Sequence, residues 1–218
     1  MRRLIFNFSI SRSKNSLIQK YGEEWFANFK IISSQYYRDI APKIPNIGTS
    51  IFSMNYAFAP AYIAWYKALQ QLKISPAEID EVIWLINEKL MTTFQKFLLK
   101  ASGKIYLNSF CSNAQKHVDR QNQGKLYPYD WKIDFRYINR NTFEIDITEC
   151  AYKKLAKDFN VDGMLPGICR MDYLMANLMG NGFTRTKTLG DGDECCNCKY
   201  SKVGSCEWSP EKGFDERK

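Results

Sequence analysis

The chemistry open to this chain is set by thiols, carboxylates and guanidinium groups. It has 218 residues, seven cysteines and one histidine. A zinc site built on several imidazoles is therefore excluded, and a Ser-His-Asp triad would have to form around His117 alone. His117 lies in a polar stretch and reads as a surface residue. Cys150 is the foremost thiol. In Asp146-Ile147-Thr148-Glu149-Cys150-Ala151 the pattern changes from alternating to helical. With Thr148 as N-cap, Cys150 falls in the first helical turn, beside free backbone N–H groups that lower a thiol pKa. The plainer alternative is a small buried hydrophobe. Cys169 and Asp172 stand three residues apart and share a face if that segment is one helix. A carboxylate there can hold a proton, orient a water or fix a substrate amino group. Its charge also raises a neighbouring thiol pKa, which disfavours Cys169 as nucleophile; a core cysteine beside a surface aspartate is the alternative. In Arg185-Thr186-Lys187-Thr188, a strand places Arg185 and Lys187 on one side and Thr186 and Thr188 on the other. Arginine suits bidentate capture of a carboxylate, with a solvated strand face as the alternative and Arg136 and Arg170 as rival anion binders.

Cys195, Cys196 and Cys198, with Cys206 further on, invite a zinc reading. The spacing is not that of paired C-x2-C ligands, and adjacent strand residues point to opposite faces, so strand cysteines packing a sheet are expected. Asp191-Gly192-Asp193 reads as a turn, lacking the length and further ligands of a calcium loop.

The elements that would position these groups follow from periodicity. Trp25, Phe29, Ile32 and Tyr36 mark a helix over residues 23–40, stopped by Pro42 and Pro45. A second helix spans 55–72, with Pro60 tolerable in its first turn. Ser75-Pro76-Ala77-Glu78 is a capping box opening a third helix of about 25 residues, whose stripe runs from Ile79 to Phe97 and whose stop is Gly103. Residues 113–121 suit a short helix. Trp131, Ile133, Phe135 and Tyr137, then Phe143, Ile145 and Ile147, alternate with polar residues and form a hairpin through Asn139-Arg140-Asn141. Helices over 150–159 and 168–179 follow, then strands near 183–189 and 194–200. The expected fold is α+β: N-terminal helices packed on a C-terminal antiparallel sheet of about four strands, with two intervening helices. One domain spans 1–218, with a helical part over about 16–125, a sheet-containing part over about 131–201 and a polar tail over about 209–218.

Composition sets the outer bounds. With 45% hydrophobic and 15% aromatic residues the chain is neither disordered nor a rod. No run reaches the roughly 18 apolar residues that suggest a membrane span. Met1-Arg2-Arg3 before an apolar stretch is similar to the start of a signal peptide, but that stretch is short, is broken by Asn7 and Ser9 and lacks a cleavage site. A cytoplasmic location with reduced thiols is expected. The net charge of +8 is dispersed along the sequence, so it leans toward a small anionic ligand, with neither nucleic acid nor membrane expected as a partner. The oligomeric state is not set by the sequence.

Four segments in order, Asn55–Tyr62 (NYAFAPAY), Asp146–Tyr152 (DITECAY), Cys169–Asp172 (CRMD) and Arg185–Cys196 (RTKTLGDGDECC), resemble the L-2-amino-thiazoline-4-carboxylic acid hydrolase family. The ending departs from the family pattern: Asn197 stands where the pattern has Asp, and Cys198 where it has an aromatic residue. The resemblance implies hydrolysis of a cyclic isothiourea carboxylate: water adds at the carbon between nitrogen and sulfur, and the ring opens at sulfur to give N-carbamoyl-L-cysteine. It implies no metal and no organic cofactor. The chemistry calls for a nucleophile or oriented water, an acidic partner for the amidine and a cation for the carboxylate. Cys150, Asp172 and Arg185 are the residues expected in those roles, with Cys169, Cys196, Thr186 and Thr188 as further site candidates. Two other classes stay open: a non-catalytic small-molecule sensor domain, similar to those of the vinyl reductase type, and a zinc-stabilised scaffold on Cys195, Cys196, Cys198 and Cys206.

Overall fold

A computed structural model describes residues 2–206; the polar tail expected over 209–218 lies outside the described residues. The helical layer begins earlier than the sequence suggested. Helix α1 (Arg2–Tyr21) buries Phe6, Ser9, Ile10, Ser13 and Leu17, a helical stripe whose two serines disguise it. Their hydroxyls donate to carbonyls of the same helix, Ser9 to Ile5 and Ser13 to Ser9, so small polar residues pack without unpaired groups. Helix α2 (Glu23–Ile40) lies where periodicity placed it. The helix expected over 55–72 is divided into α3 (Ser53–Tyr56) and α4 (Ala59–Gln71), with Pro60 in the opening turn of α4, where its missing N–H costs nothing. Apolar on nearly every side, α4 is the central helix of the core.

The third expected helix is two helices. In α5 (Pro76–Met91), the Ser75 hydroxyl accepts from the Glu78 N–H, as the capping box requires. Its last turn is terminated by Thr92 and Thr93, whose hydroxyls donate to the carbonyls of Glu88 and Lys89. The chain restarts as α6 (Lys96–Asn122), leaving Phe94 and Phe97 exposed. Gly103 is inside α6, not at a stop. A Cβ there would come 2.4 Å from the Met179 carbonyl oxygen, so glycine serves the close approach of two helices. The short helix expected over 113–121 is the end of α6. His117 is buried, not at the surface: its Nε2 lies 2.9 Å from the Trp131 carbonyl oxygen and its Nδ1 3.4 Å from Arg120 Nη2. With Nε2–H donating and Nδ1 accepting, the imidazole ties α6 to the first strand.

The sheet contains β1 (Lys132–Tyr137), β2 (Thr142–Glu149), β3 (Gly182–Thr184) and β4 (Cys196–Ser201), antiparallel in the order β1-β2-β4-β3. The α+β architecture is the one expected. The Asn139 side chain accepts from the N–H groups of Asn141 and Thr142 and shapes the hairpin turn. Phe143 pairs with Tyr200, Ile145 with Cys198 and Ile147 with Cys196 on the face toward the helices. Between β2 and β3 run α7 (Ala151–Phe159), α8 (Leu165–Cys169) and α9 (Met171–Met179). The helix expected over 168–179 is thus interrupted at Arg170, and the intervening helices number three instead of two. The strand expected over 183–189 ends at Thr184, because the Asn197 side chain takes over the pairing: its Oδ1 accepts from the N–H groups of Thr186 and Lys187.

Candidate active site

The break at Arg170 and the early end of β3 build the site between them. Leaving the strand at Arg185, the chain turns that side chain inward and sends Lys187 out to Glu194, so the two do not share a strand face as expected. Arg185 Nη1 donates to Asp172 Oδ2 at 2.8 Å and Nη2 to the Cys169 carbonyl at 2.9 Å. Its guanidinium packs over the Tyr173 and Phe183 rings. Among the described residues its buried Nε has no hydrogen-bond partner. The pair is asymmetric: the Arg185 side chain is 2% exposed and that of Asp172 35%. Burial pushes the Asp172 carboxyl up from its ordinary value against the opposing pull of Arg185. Cys169 ends α8 and Asp172 opens α9, so they are joined by Arg185 and not by a shared helical face.

Cys150 is the residue before α7, not a member of its first turn. Thr148 does not cap the helix; its hydroxyl reaches the Lys132 carbonyl. The thiol stays within electrostatic range of Cys169 and Cys196. The expected lowering of its pKa is overturned. Desolvation pushes Cys150 up to about 11, outweighing the N–H groups of Lys153 and Tyr152 and the Trp131 side chain. Cys169 is pushed up to about 12 for the same reason. Both are protonated thiols near neutral pH, able to donate but not to attack. Cys169 packs against Gly190, where a Cβ would come 2.7 Å from its sulfur.

The remaining candidates divide between two sides of the sheet. Thr188 and Cys196 are buried, with Thr188 Oγ1 3.4 Å from the Cys196 sulfur, which also accepts from the Leu189 N–H at 3.2 Å. Thr186 instead faces outward, where its hydroxyl accepts from Asn197 Nδ2 at 2.8 Å. It borders a cleft of about 220 Å³ that Arg185 and Cys198 also line, together with Arg136, Glu144, Asp146 and Lys199. The rival arginines are engaged elsewhere, Arg136 with Glu144 and Asp146, Arg170 with Asp191. All seven cysteines are free thiols, and among the described residues no three His, Cys, Asp or Glu side chains converge to hold a metal ion.

Periodicity did not single out Tyr62, Asn87, Tyr152 and Tyr200 as functional. Tyr62 donates to Asn87 Oδ1 at 2.9 Å inside the core and lies within electrostatic range of Asp172. Tyr152 lies within electrostatic range of both Cys150 and Cys169, and Tyr200 of Cys198 and Asp172. One signal was present: Asn87 interrupts the otherwise apolar stripe of Ile83, Ile86 and Leu90, and a buried amide needs a reason.

A sequence model of L-2-amino-thiazoline-4-carboxylic acid hydrolase matches residues 54–200, a span containing every residue of this cluster. The chain belongs to that family. No curated protein matches it. The four thiazoline-hydrolase segments that scatter along the sequence meet in the fold. Tyr62 comes from the first, Cys150 and Tyr152 from the second, Cys169 and Asp172 from the third, and Arg185, Thr188 and Cys196 from the fourth. Among the described residues no helix is long and apolar enough to cross a membrane.

Proposed function

We propose that the protein hydrolyses a small anionic cyclic amidine of the 2-amino-thiazoline-4-carboxylate class, with Asp172 and Arg185 at the reacting end of the site. The observation that carries this reading is the Asp172–Arg185 pair, in which a buried cation keeps one unpartnered donor while its carboxylate stays partly open. Arg185 supplies the positive charge that attracts the substrate carboxylate. Asp172 takes one proton from the attacking water as it adds to the ring carbon between nitrogen and sulfur and delivers it to the ring nitrogen, which becomes the N–H of the carbamoyl product. Collapse of the adduct turns its hydroxyl into a carbonyl and breaks the carbon–sulfur bond, and the hydroxyl proton passes through Asp172 to the sulfur, which leaves as a thiol. Cys150, protonated, orients the water, and Cys169 and Cys196 lie within electrostatic range of it, with Thr188 against Cys196. Thr186 borders the outer cleft, which Arg185 also lines. A cytoplasmic setting fits the seven free thiols.

One observation favours a second reading. Thiols driven up by burial are chemically quiet, as a non-catalytic binding module would have them. Thiol release from L-2-amino-thiazoline-4-carboxylate by the purified protein separates the two. Turnover, falling roughly tenfold in Cys150→Ser through a misplaced water, supports the hydrolase. Saturable binding of that compound without turnover supports the binder and removes the hydrolytic mechanism.

A further inference from the structure

Cations and exposed apolar side chains share two acid-free stretches of the helical layer. Residues 1–22 contain no Asp or Glu, and none occurs between Glu88 and Asp119. The two acid-free stretches meet where the Phe8 ring reaches Phe94 at 6.4 Å, in the turn leading to α6, while the far end of α1 packs along α5 and pairs Lys20 with Glu78 and Glu81. Six of the twelve large apolar side chains exposed among the described residues belong to these stretches: Leu4, Phe8, Phe94, Phe97, Leu98 and Ile105. Leu4 is 73% exposed, Phe97 65% and Ile105 70%. Soluble surfaces scatter such residues singly, and a cluster marks a contact site.

Charge decides what it contacts. Arg3, Arg12, Lys96, Lys100 and Lys104 are exposed among these apolar groups, and Arg12 lies over the Phe8 ring at 4.7 Å. Among the described residues none of the five is in an ion pair, whereas cations on and beside the sheet, Lys132, Arg136, Lys154 and Lys187, sit on carboxylates. We propose that this face docks on an anionic lipid surface, its Phe, Leu and Ile side chains entering below the headgroups and its lysines and arginines meeting lipid phosphates. Nucleic acid offers phosphates but no apolar phase for Leu98 and Ile105. A second copy of the chain brings the same uncompensated positive charge. The proposal does not rest on the hydrolase reading, since none of these residues belongs to the Asp172–Arg185 site.

Sedimentation of the full chain with phosphatidylcholine vesicles, with and without phosphatidylglycerol, tests it. The chain is expected to pellet with the anionic vesicles only and to be released by high salt. Two variants at exposed positions, Phe97→Ser with Leu98→Ser, and Lys96→Gln with Lys100→Gln and Lys104→Gln, should each weaken partition about tenfold with unchanged melting temperature. Equal pelleting with neutral vesicles, no pelleting with anionic ones, or variants that bind like the parent would each overturn it. So would a dimer that Phe97→Ser dissociates, because the face would then be a contact between copies.

Discussion

At the level of single residues, burial outweighs every local device for activating a thiol. Cys150 has a helix N-terminus beside it, yet desolvation pushes it up to about 11. Alkylation of the native protein should therefore be slow at pH 7 for Cys150 and Cys169 and quicken as pH rises, followed by mass spectrometry of the labelled peptides. Fast labelling of Cys150 at pH 7 would restore it as a nucleophile. The same imbalance acts on Asp80, whose carboxyl is pushed up to about 6 by burial although it accepts the Gly167 N–H. An acid whose folded pKa is raised binds more protons folded than unfolded. Asp80 thus costs stability that grows as pH rises from about 3.8 to about 6. Asp80→Asn should stabilise the protein by about 1 kcal/mol above that window and by nothing below it, read from urea unfolding across pH. The sequence displayed which residue types bear on the chemistry. It did not display their protonation, which depends on how many atoms the rest of the fold places around each.

The elements show where periodicity succeeds. Strands β1 and β2 alternate through Lys132–Tyr137 and Thr142–Thr148, and α2 has one apolar face, so each was legible. Helix α1 was not, because serines stand in its buried stripe, and the α5–α6 break was not, because two threonines end a turn without glycine or proline. Gly103 was legible as a glycine with a purpose but not as the right one, since its neighbour, the Met179 carbonyl, is contributed by α9. Gly103→Ala should force α6 away from α9 and cost about 1–3 kcal/mol, measurable as a lower melting temperature. The site depends on two irregularities of this kind, the split at Arg170 and the strand exit after Thr184. Each replaces a regular element the pattern favoured: the strand exit turns Arg185 toward Asp172, and at the split the Cys169 carbonyl accepts from Arg185.

On the scale of the molecule, helices outside the family match complete the core that the matched region needs. Phe6 of α1 stacks on Trp65 of α4 at 6.1 Å, and Phe29 of α2 is wholly buried in the same cluster. A chain starting at residue 54 should lose near-ultraviolet circular dichroism and cooperative melting, because Trp65 would lose that cover. The cluster of Asp172, Arg185, Cys150 and Cys169 draws on α7, α8, α9 and the segment after β3, and the sheet register holds these together. Kinetics of Asp172→Asn test the central claim most directly, with thiol release from L-2-amino-thiazoline-4-carboxylate as readout and matched melting curves to show that the variant is folded. The account predicts a fall in kcat of roughly 100-fold or more. A folded variant that turns over at the parental rate would contradict it.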